Sequence, residues 1–307
     1  MKILTKKDLP LHEKTAVAIG MFDGLHLGHM QLIQDIEAQS SNGCKSIVYT
    51  FNMKPKTTKL IFTNKEKESL FRTSGIDYYY PRSFDKKFSN ILPEQFLDSL
   101  IADLNITHIT VGFDFKFGRN AQGNTEYLKQ AAKQYGFTLS IIPEVTIAGE
   151  KVSSSSIREM IEDGNMELTT RMLGKQYFID GKTDTGIHLG SKMGFPTANF
   201  DIDPSKLLPK YGVYVTITNV DGVLHPSVTN VGVKPTVKND TIPNVETYLL
   251  NFSGNLYGKK LRVYFIEKLR DEKRFDSIDE LQKEIGHNSL QAQEKLADLD
   301  VYKPYLL

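Results

Sequence analysis

The segment Gly20-Met21-Phe22-Asp23-Gly24-Leu25-His26-Leu27-Gly28-His29 decides how this chain is read. It follows an apolar run, Thr15 to Ile19, and leads into a pattern with Leu32, Ile33 and Ile36 on one stripe. That succession predicts a strand, a glycine-rich turn and a helix. A helix start exposes unpaired N–H groups and partial positive charge, so it receives phosphate. Glycine lets the backbone approach such a ligand closely. His26 and His29, three residues apart, share one helix face and can both donate to phosphate oxygens. Taken alone, the two histidines also fit plain polar residues beside a tight turn. They fit a pair of ligands to one metal ion as well, although no cysteine or carboxylate cluster accompanies them.

Outward from this segment, strand-like and helix-like patterns alternate. Ser46–Phe51 is a compact β-rich run, and Pro93 opens a helix with Phe96, Leu97, Leu100, Ile101 and Leu104 on one stripe. His108–Gly112 reads as a strand, Asn124–Tyr135 as a helix stopped by Gly136, and Thr138–Ile142 as a strand stopped by Pro143. Such alternation predicts a Rossmann-like α/β domain, a parallel sheet with helices on both faces. Its ligands belong at the carboxyl ends of the strands, where the loops at 20–29 and 112–123 should lie. Two short helices follow: one expected to start from a Ser156/Glu159 capping box and to end at Gly164, one from about Asn165 to Leu173. From Gln176 to Glu267 short β-like runs punctuated by turns such as Asp221-Gly222 predict a small all-β barrel. Two helices are expected to close the chain, one from Ser277 and one over about Leu290–Leu299. The domain boundary is placed near Gly174, giving residues 1–174 and 175–307.

The 307 residues suffice for two domains. Thirty-eight basic residues against 37 acidic leave a formal charge of +1, which implies no strongly basic surface for nucleic acid. The single cysteine, Cys44, excludes an internal disulfide and fits a reducing compartment. Residues 1–7 lack the apolar core of a signal peptide, and no apolar run approaches the length of a membrane span. The expectation is a cytoplasmic protein acting on small molecules; oligomeric state is left open.

Two further stretches carry chemistry. In Val152-Ser153-Ser154-Ser155-Ser156-Ile157-Arg158, hydroxyls and N–H groups at a helix start can hold phosphate oxygens, and Arg158 adds a forked permanent charge. A helix cap beside an exposed arginine reads the same residues. In Gly112-Phe113-Asp114-Phe115-Lys116-Phe117-Gly118, aromatic rings can flank a planar ligand while Asp114 binds its polar edge. An aromatic core corner with solvated charges is the alternative.

In this order, the three stretches resemble the bacterial bifunctional riboflavin kinase/FAD synthetase family, whose first domain belongs to the His-x-Gly-His nucleotidyltransferase superfamily. The Ser-rich run is similar to that family's Ser-Ser-Thr-x-Ile-Arg motif, with Ser155 at the threonine. The resemblance implies transfer of an adenylyl group from ATP to FMN, giving FAD and pyrophosphate, with Mg²⁺ and without a covalent enzyme intermediate. Under it, His26 and His29 steady the phosphates, Ser154, Ser155 and Arg158 hold the departing pyrophosphate, and Gly20, Phe22, Asp23, Gly24, Gly28, Asp114, Phe115 and Phe117 line the substrate site.

The resemblance extends to about Ile285. Gly194-Phe195-Pro196-Thr197-Ala198-Asn199 is similar to the riboflavin kinase motif and implies Gly194 and Pro196 at the nucleotide, Thr197 and Asn199 on Mg²⁺, and Glu246 as the base for the riboflavin 5′-hydroxyl. The chain departs from the family in two segments. Lys54 stands where members carry the histidine of Thr-Phe-x-Pro-His-Pro, and Met53 replaces the first proline. In the glycine-rich loop, Thr185 and Ser191 stand where members carry His and Arg, and Asp184 adds an unfavourable charge. Three functions therefore compete: a bifunctional enzyme, an FAD synthetase with a silent kinase half, and a non-catalytic flavin- or nucleotide-binding regulator. If the altered loop limits phosphorylation, Ser191→Arg raises conversion of riboflavin to FMN, measured by chromatography of the flavins; an unchanged rate places the limit elsewhere.

Overall fold

The computed structural model describes residues 1–52, 59–183, 197–235 and 241–306. The chain forms two compact units, residues 1–58 with 62–154 and residues 59–61 with 155–307.

The first unit holds β1 (Lys2–Ile3), β2 (Thr15–Ile19), β3 (Lys45–Asn52), β4 (Tyr78–Ser83) and β5 (Ile106–Gly112). After β5, the short strands β6 (Lys116–Phe117) and β7 (Gly123–Asn124) pair antiparallel, and β8 (Thr138–Ile142) follows. β1–β5 and β8 make one all-parallel sheet in the order β1-β4-β3-β2-β5-β8. The chain runs outward from β2 through β3 to β4, then returns to lay β5 on the other side of β2. The reversal puts a topological switch point between β2 and β5, where an open α/β sheet has a crevice at its strand ends. Residues Ala18 and Thr110 are register partners, so Gly20 and Gly112 leave the sheet at the same edge.

Alternation along the strands explains which helix covers which face. Val17, Ile19, Ile47, Tyr49, Ile109 and Val111 join α3 (Pro93–Leu104) and α4 (Thr125–Tyr135) in one apolar cluster. The opposite face carries the small residues Ala16 and Ala18, and α1 (Leu27–Ala38) packs there with buried Leu32, Ile33 and Ile36. α1 is further fixed by a polar network. Asp35 accepts from the hydroxyl of Thr110 at 2.6 Å and of Ser140 at 3.2 Å, and its Oδ2 lies 2.8 Å from Nε2 of His108. His108 and Thr110 are buried. Burial pushes the Asp35 carboxyl upward, but the bonds from Thr110, His108 and Ser140 outweigh it and hold the group below its ordinary range.

α2 (Asn64–Arg72) opens on a reciprocal Thr63/Glu66 capping box, and β9 (Thr146–Ile147) with β10 (Glu150–Lys151) makes a small hairpin. α5 (Ser154–Asp163) begins two residues before the expected Ser156 cap, so Ser156 sits in its first turn. Any serine of that run can cap a helix, and the pattern alone does not choose among them. α6 (Met166–Leu173) is capped by Asn165 and stopped by left-handed Gly174.

β11 (Tyr177–Thr183), β12 (Thr197–Asp201), β13 (Gly212–Val220), β14 (Val223–Pro235), β15 (Thr241–Leu249) and β16 (Lys260–Arg270) close into an antiparallel barrel, ordered β11-β12-β15-β14-β13-β16. The β13–β14 hairpin turns at Asp221 and Gly222, both with positive φ, as a tight hairpin requires. A ladder of buried hydroxyls, Thr218, Ser227, Thr216, Thr229 and Thr247, ties β13, β14 and β15 together at 2.7–2.8 Å. The expected pair of closing helices is, among the described residues, one helix, α7 (Ile278–Lys295), followed by 3₁₀ turns. Gly286 does not break it: buried Asn288 accepts from the Arg270 guanidinium at 3.0 and 3.2 Å, and this tertiary anchor overrides a single glycine.

Replacing Asp35 by Ala leaves buried His108 and Thr110 short of an acceptor. Asp35→Ala is expected to lower stability by about 1–3 kcal/mol per group so orphaned, read from urea unfolding at pH 7. Because the native carboxyl lies below its ordinary value of about 3.9, its contribution is present above that pH and lost as pH falls through the native pKa. The gap between variant and wild type therefore narrows in acid; a gap that persists there removes Asp35 from the network.

Candidate functional site

At the end of β2 the backbone turns sharply. Gly20 N–H bonds to the Tyr49 carbonyl at 3.2 Å, and a Cβ on Gly20 would stand 3.2 Å from the Phe22 ring. Phe22 (φ +50), Gly24 (φ +84) and Leu25 (φ +43) all take the left-handed conformation. Two of these are not glycine, a local cost that surrounding contacts must offset. The contacts are specific. The Phe22 ring is fully buried, edge-on to Phe71 of α2 at 5.7 Å and tilted against His29 at 5.0 Å. The Met21 carbonyl accepts from the Thr50 hydroxyl at 3.1 Å and from the Lys67 ammonium at 3.3 Å. The Asp23 carbonyl accepts from the Ser154 hydroxyl at 2.8 Å. In a trans peptide the following N–H points opposite to the carbonyl. The N–H groups of Phe22 and Gly24 are therefore turned away from these donors, and N–H groups so turned outward can receive an anion.

His26 is the N-cap of α1, and its Nδ1 accepts from the His29 N–H at 3.4 Å. An imidazole that accepts at Nδ1 carries its proton on Nε2. The two rings stack with centroids 3.6 Å apart, and a Cβ on Gly28 would lie 3.3 Å from the His26 ring. The glycine between the histidines thus makes room for the first imidazole. Among the described residues no group of three or more His, Cys, Asp or Glu side chains is placed to hold a metal. Gly20, Phe22, Asp23, Gly24, His26, Gly28, His29 and Ser154 are all brought together around this turn.

The loop after β5 divides its aromatic residues. Phe117 is buried in the core, against Phe96 at 5.5 Å and Tyr127 at 5.8 Å, and a Cβ on Gly123 would press into its ring. Phe115 stacks on Phe117 at 5.5 Å and is half-buried. Asp114 is exposed, and so is Phe113, with the Lys151 ammonium 4.5 Å above its ring. The sequence alone does not single out Thr50 or Lys67. Thr63-x-x-Glu66 marks the start of α2 and could have found the helix that carries Lys67.

In the second unit, Ser155 and Arg158 lie one turn apart on α5. Arg158 donates from Nε to the Lys59 carbonyl at 3.3 Å. The segment holding Lys59 is paired in parallel with the chain at Lys206: Leu60 N–H bonds to Ser205 and Leu207 N–H to Leu60, at 2.7 and 2.8 Å. In the barrel, the Thr197 hydroxyl donates to Glu246 Oε1. The β12/β15 register sets Asn199 directly opposite Glu246, and the β14/β15 register sets Asn230 opposite it on the other side. The amides of Asn199 and Asn230 and the Glu246 carboxylate stand at one level of three strands, with the Thr197 hydroxyl two residues along β12, and such oxygens are the donor set that a hard cation such as Mg²⁺ takes. Thr183, at the end of β11, is anchored through its hydroxyl to the carbonyls of Leu256 and Lys259. Gly194, Pro196, Thr185, Ser191, Asp184, Met53 and Lys54 lie outside the described residues.

Comparison with known proteins agrees with both halves. A family model described as FAD synthetase matches residues 8–156, and one described as riboflavin kinase matches residues 173–296. A bifunctional riboflavin kinase/FMN adenylyltransferase of Pseudomonas fluorescens is 32% identical, covering 90% of this chain and 91% of its own. The Bacillus subtilis protein of the same description is 31% identical, over 91% of this chain and 92% of its own. A crystal structure from Streptococcus pneumoniae, described as a macrolide-efflux protein, superposes with a TM-score of 0.85 at 26% identity, covering 95% of this chain and 98% of that one. Among the described residues of this chain, no helix is long and apolar enough to cross a membrane.

Proposed function

This chain belongs to the bifunctional riboflavin kinase/FMN adenylyltransferase family, and we propose that it makes FAD from FMN and ATP in residues 1–174 and FMN from riboflavin and ATP in residues 175–307. The observation that carries the first activity is the stacked His26–His29 pair at the start of α1, beside the turn whose Met21 and Asp23 carbonyls are held by protein donors. In this reaction an oxygen of the FMN phosphate attacks the α-phosphorus of ATP, the bond to the β-phosphate oxygen breaks, and pyrophosphate leaves. Charge moves onto the departing phosphates, so fixed N–H groups and imidazoles facing them lower the barrier without reorganising. The His26 tautomer, with its proton on Nε2, suits donation to a phosphate oxygen. Ser154, Ser155 and Arg158 are assigned to the pyrophosphate end, and Asp114, Phe115 and Phe117 to the flank of the substrate site. Phe117 acts there by supporting Phe115 from the core.

In the second half, Glu246 is assigned the proton of the riboflavin 5′-hydroxyl as that oxygen attacks the γ-phosphorus and ADP departs. The Thr197 hydroxyl on Glu246 holds the carboxylate in place. Thr197 and Asn199 would hold Mg²⁺, which when bound neutralises charge on the transferring phosphates. A second reading, an FAD synthetase that does not phosphorylate riboflavin, is favoured by Thr185 and Ser191 in the glycine-rich loop.

Incubation of the purified chain with Mg²⁺, ATP and either riboflavin or FMN, followed by flavin chromatography, separates the readings. FAD from FMN and FMN from riboflavin are the expected products; FAD alone supports the second reading, and no product from either refutes both. His29→Ala is expected to cut FAD formation by about 10²–10³-fold. Glu246→Gln is expected to cut phosphorylation by about 10²–10⁴-fold and to spare adenylyl transfer.

A further inference from the structure

Lys67 is a buried charge to which the mechanism above gives no task. It lies in the second turn of α2 and is 3% exposed. Its ammonium bonds to the Phe51 carbonyl at 2.9 Å, to the Met21 carbonyl at 3.3 Å and to the Thr50 hydroxyl at 3.4 Å. All three are neutral acceptors. Lysine is almost never so buried unless it is paired with a charge, because desolvating an ammonium is costly. A neutral amide could bridge the same carbonyls at lower cost, so bridging alone does not account for a cation here.

The placement does account for it. Lys67 and Phe71, four residues apart, share one face of α2, and Phe71 packs on the Phe22 ring while Lys67 holds the carbonyl just before Phe22. The ammonium therefore sits directly behind the turn at the end of β2. The charged group that acts on it is Asp23 on the turn, while Glu66, its neighbour on α2, has its carboxylate taken up by the Thr63 N–H. We propose that Lys67 is a positioning residue for the phosphates of ATP: it fixes the Met21 peptide so that the Phe22 N–H faces the ligand, and it lends the turn a buried positive charge that a polyphosphate compensates. This rests on the reading of the first half as the adenylyl-transferring one.

Burial lowers the ammonium to about 8, with the charge of Asp23 acting in the opposite direction. In the ligand-free protein the charge therefore fades as pH rises through that value, and a bound polyphosphate restores it by drawing a proton from solvent. Such a charge costs the fold stability, since the unfolded chain binds the proton more tightly.

The test compares wild type with Lys67→Met and Lys67→Arg in the full chain. Readouts are FAD formation from FMN across neutral to alkaline pH, calorimetry of MgATP binding in buffers of different ionisation enthalpy, and thermal unfolding. In wild type the KM for ATP is expected to rise as pH passes about 8, and binding there takes up protons. Lys67→Met raises that KM by about tenfold to a hundredfold at neutral pH, loses the lysine's share of proton uptake and melts no lower than wild type. Lys67→Arg, permanently charged, flattens the alkaline limb. Wild-type KM and pH profile in Lys67→Met overturn the proposal. So does a Lys67→Met chain that fails to fold together with a Lys67→Arg chain whose alkaline limb matches wild type. If wild type binds MgATP with lysine-dependent proton uptake yet makes no FAD, the adenylyl-transfer reading fails while the phosphate role stands. If wild type makes FAD and Lys67→Met is indistinguishable from it, the reverse holds.

Discussion

A peptide has two polar ends, and fixing one aims the other. The first unit depends on that constraint at the turn after β2. The Met21 carbonyl is held by Thr50 and Lys67, and the Asp23 carbonyl by Ser154. Each bond turns the following N–H the opposite way. Phe22 and Leu25 tolerate left-handed backbone there because their side chains are wholly buried, with Phe22 seated between Phe71 and His29. The sheet order places this turn at the switch point between β2 and β5, and the Asp35 network anchors α1 to β5 and β8 so that His26 and His29 start from a fixed helix. Conformation, packing and electrostatics converge on one patch of backbone, as a phosphate cradle requires.

The barrel uses a different device. Its candidate site is set by strand register. Glu246 meets Asn199 on one side and Asn230 on the other, and Thr197 reaches it from two residues along β12. A slip of one residue would turn Glu246 to the opposite face. The buried hydroxyl ladder joining Thr216, Ser227, Thr229 and Thr247 locks β13, β14 and β15 against such a slip. Oxygen ligands for a cation then come from backbone geometry shared by several strands, with no histidine or cysteine needed.

Much of this was legible in the chain. Thr15–Ile19, the helix that starts at the two histidines, the Pro93 helix and the Asp221-Gly222 hairpin follow from periodicity and turn chemistry, and the parallel sheet and barrel follow from their order. What escaped was decided by partners distant in sequence. The start of α5 was ambiguous because Ser153 to Ser156 offer equivalent caps. The break expected before Leu290 does not form, because Asn288 is tied to Arg270. Lys67 reads as a surface lysine on a charged helix; only the approach of α2 to Phe22 and β3 buries it. Asp35 has no motif around it, and its partners His108, Thr110 and Ser140 come from β5 and β8. Around the candidate site, the histidines, glycines and serines were visible as motifs, while the groups that hold them in place were not.

We propose that the Gly20–His29 turn binds the phosphates of ATP. A crystal structure of the chain with Mg²⁺ and a non-hydrolysable ATP analogue tests it most directly. Phosphate oxygens are expected within hydrogen-bond distance of the Phe22 or Gly24 N–H and of the His26 and His29 imidazoles. Phosphates seated elsewhere in the first unit, with this turn in contact only with water, would contradict it.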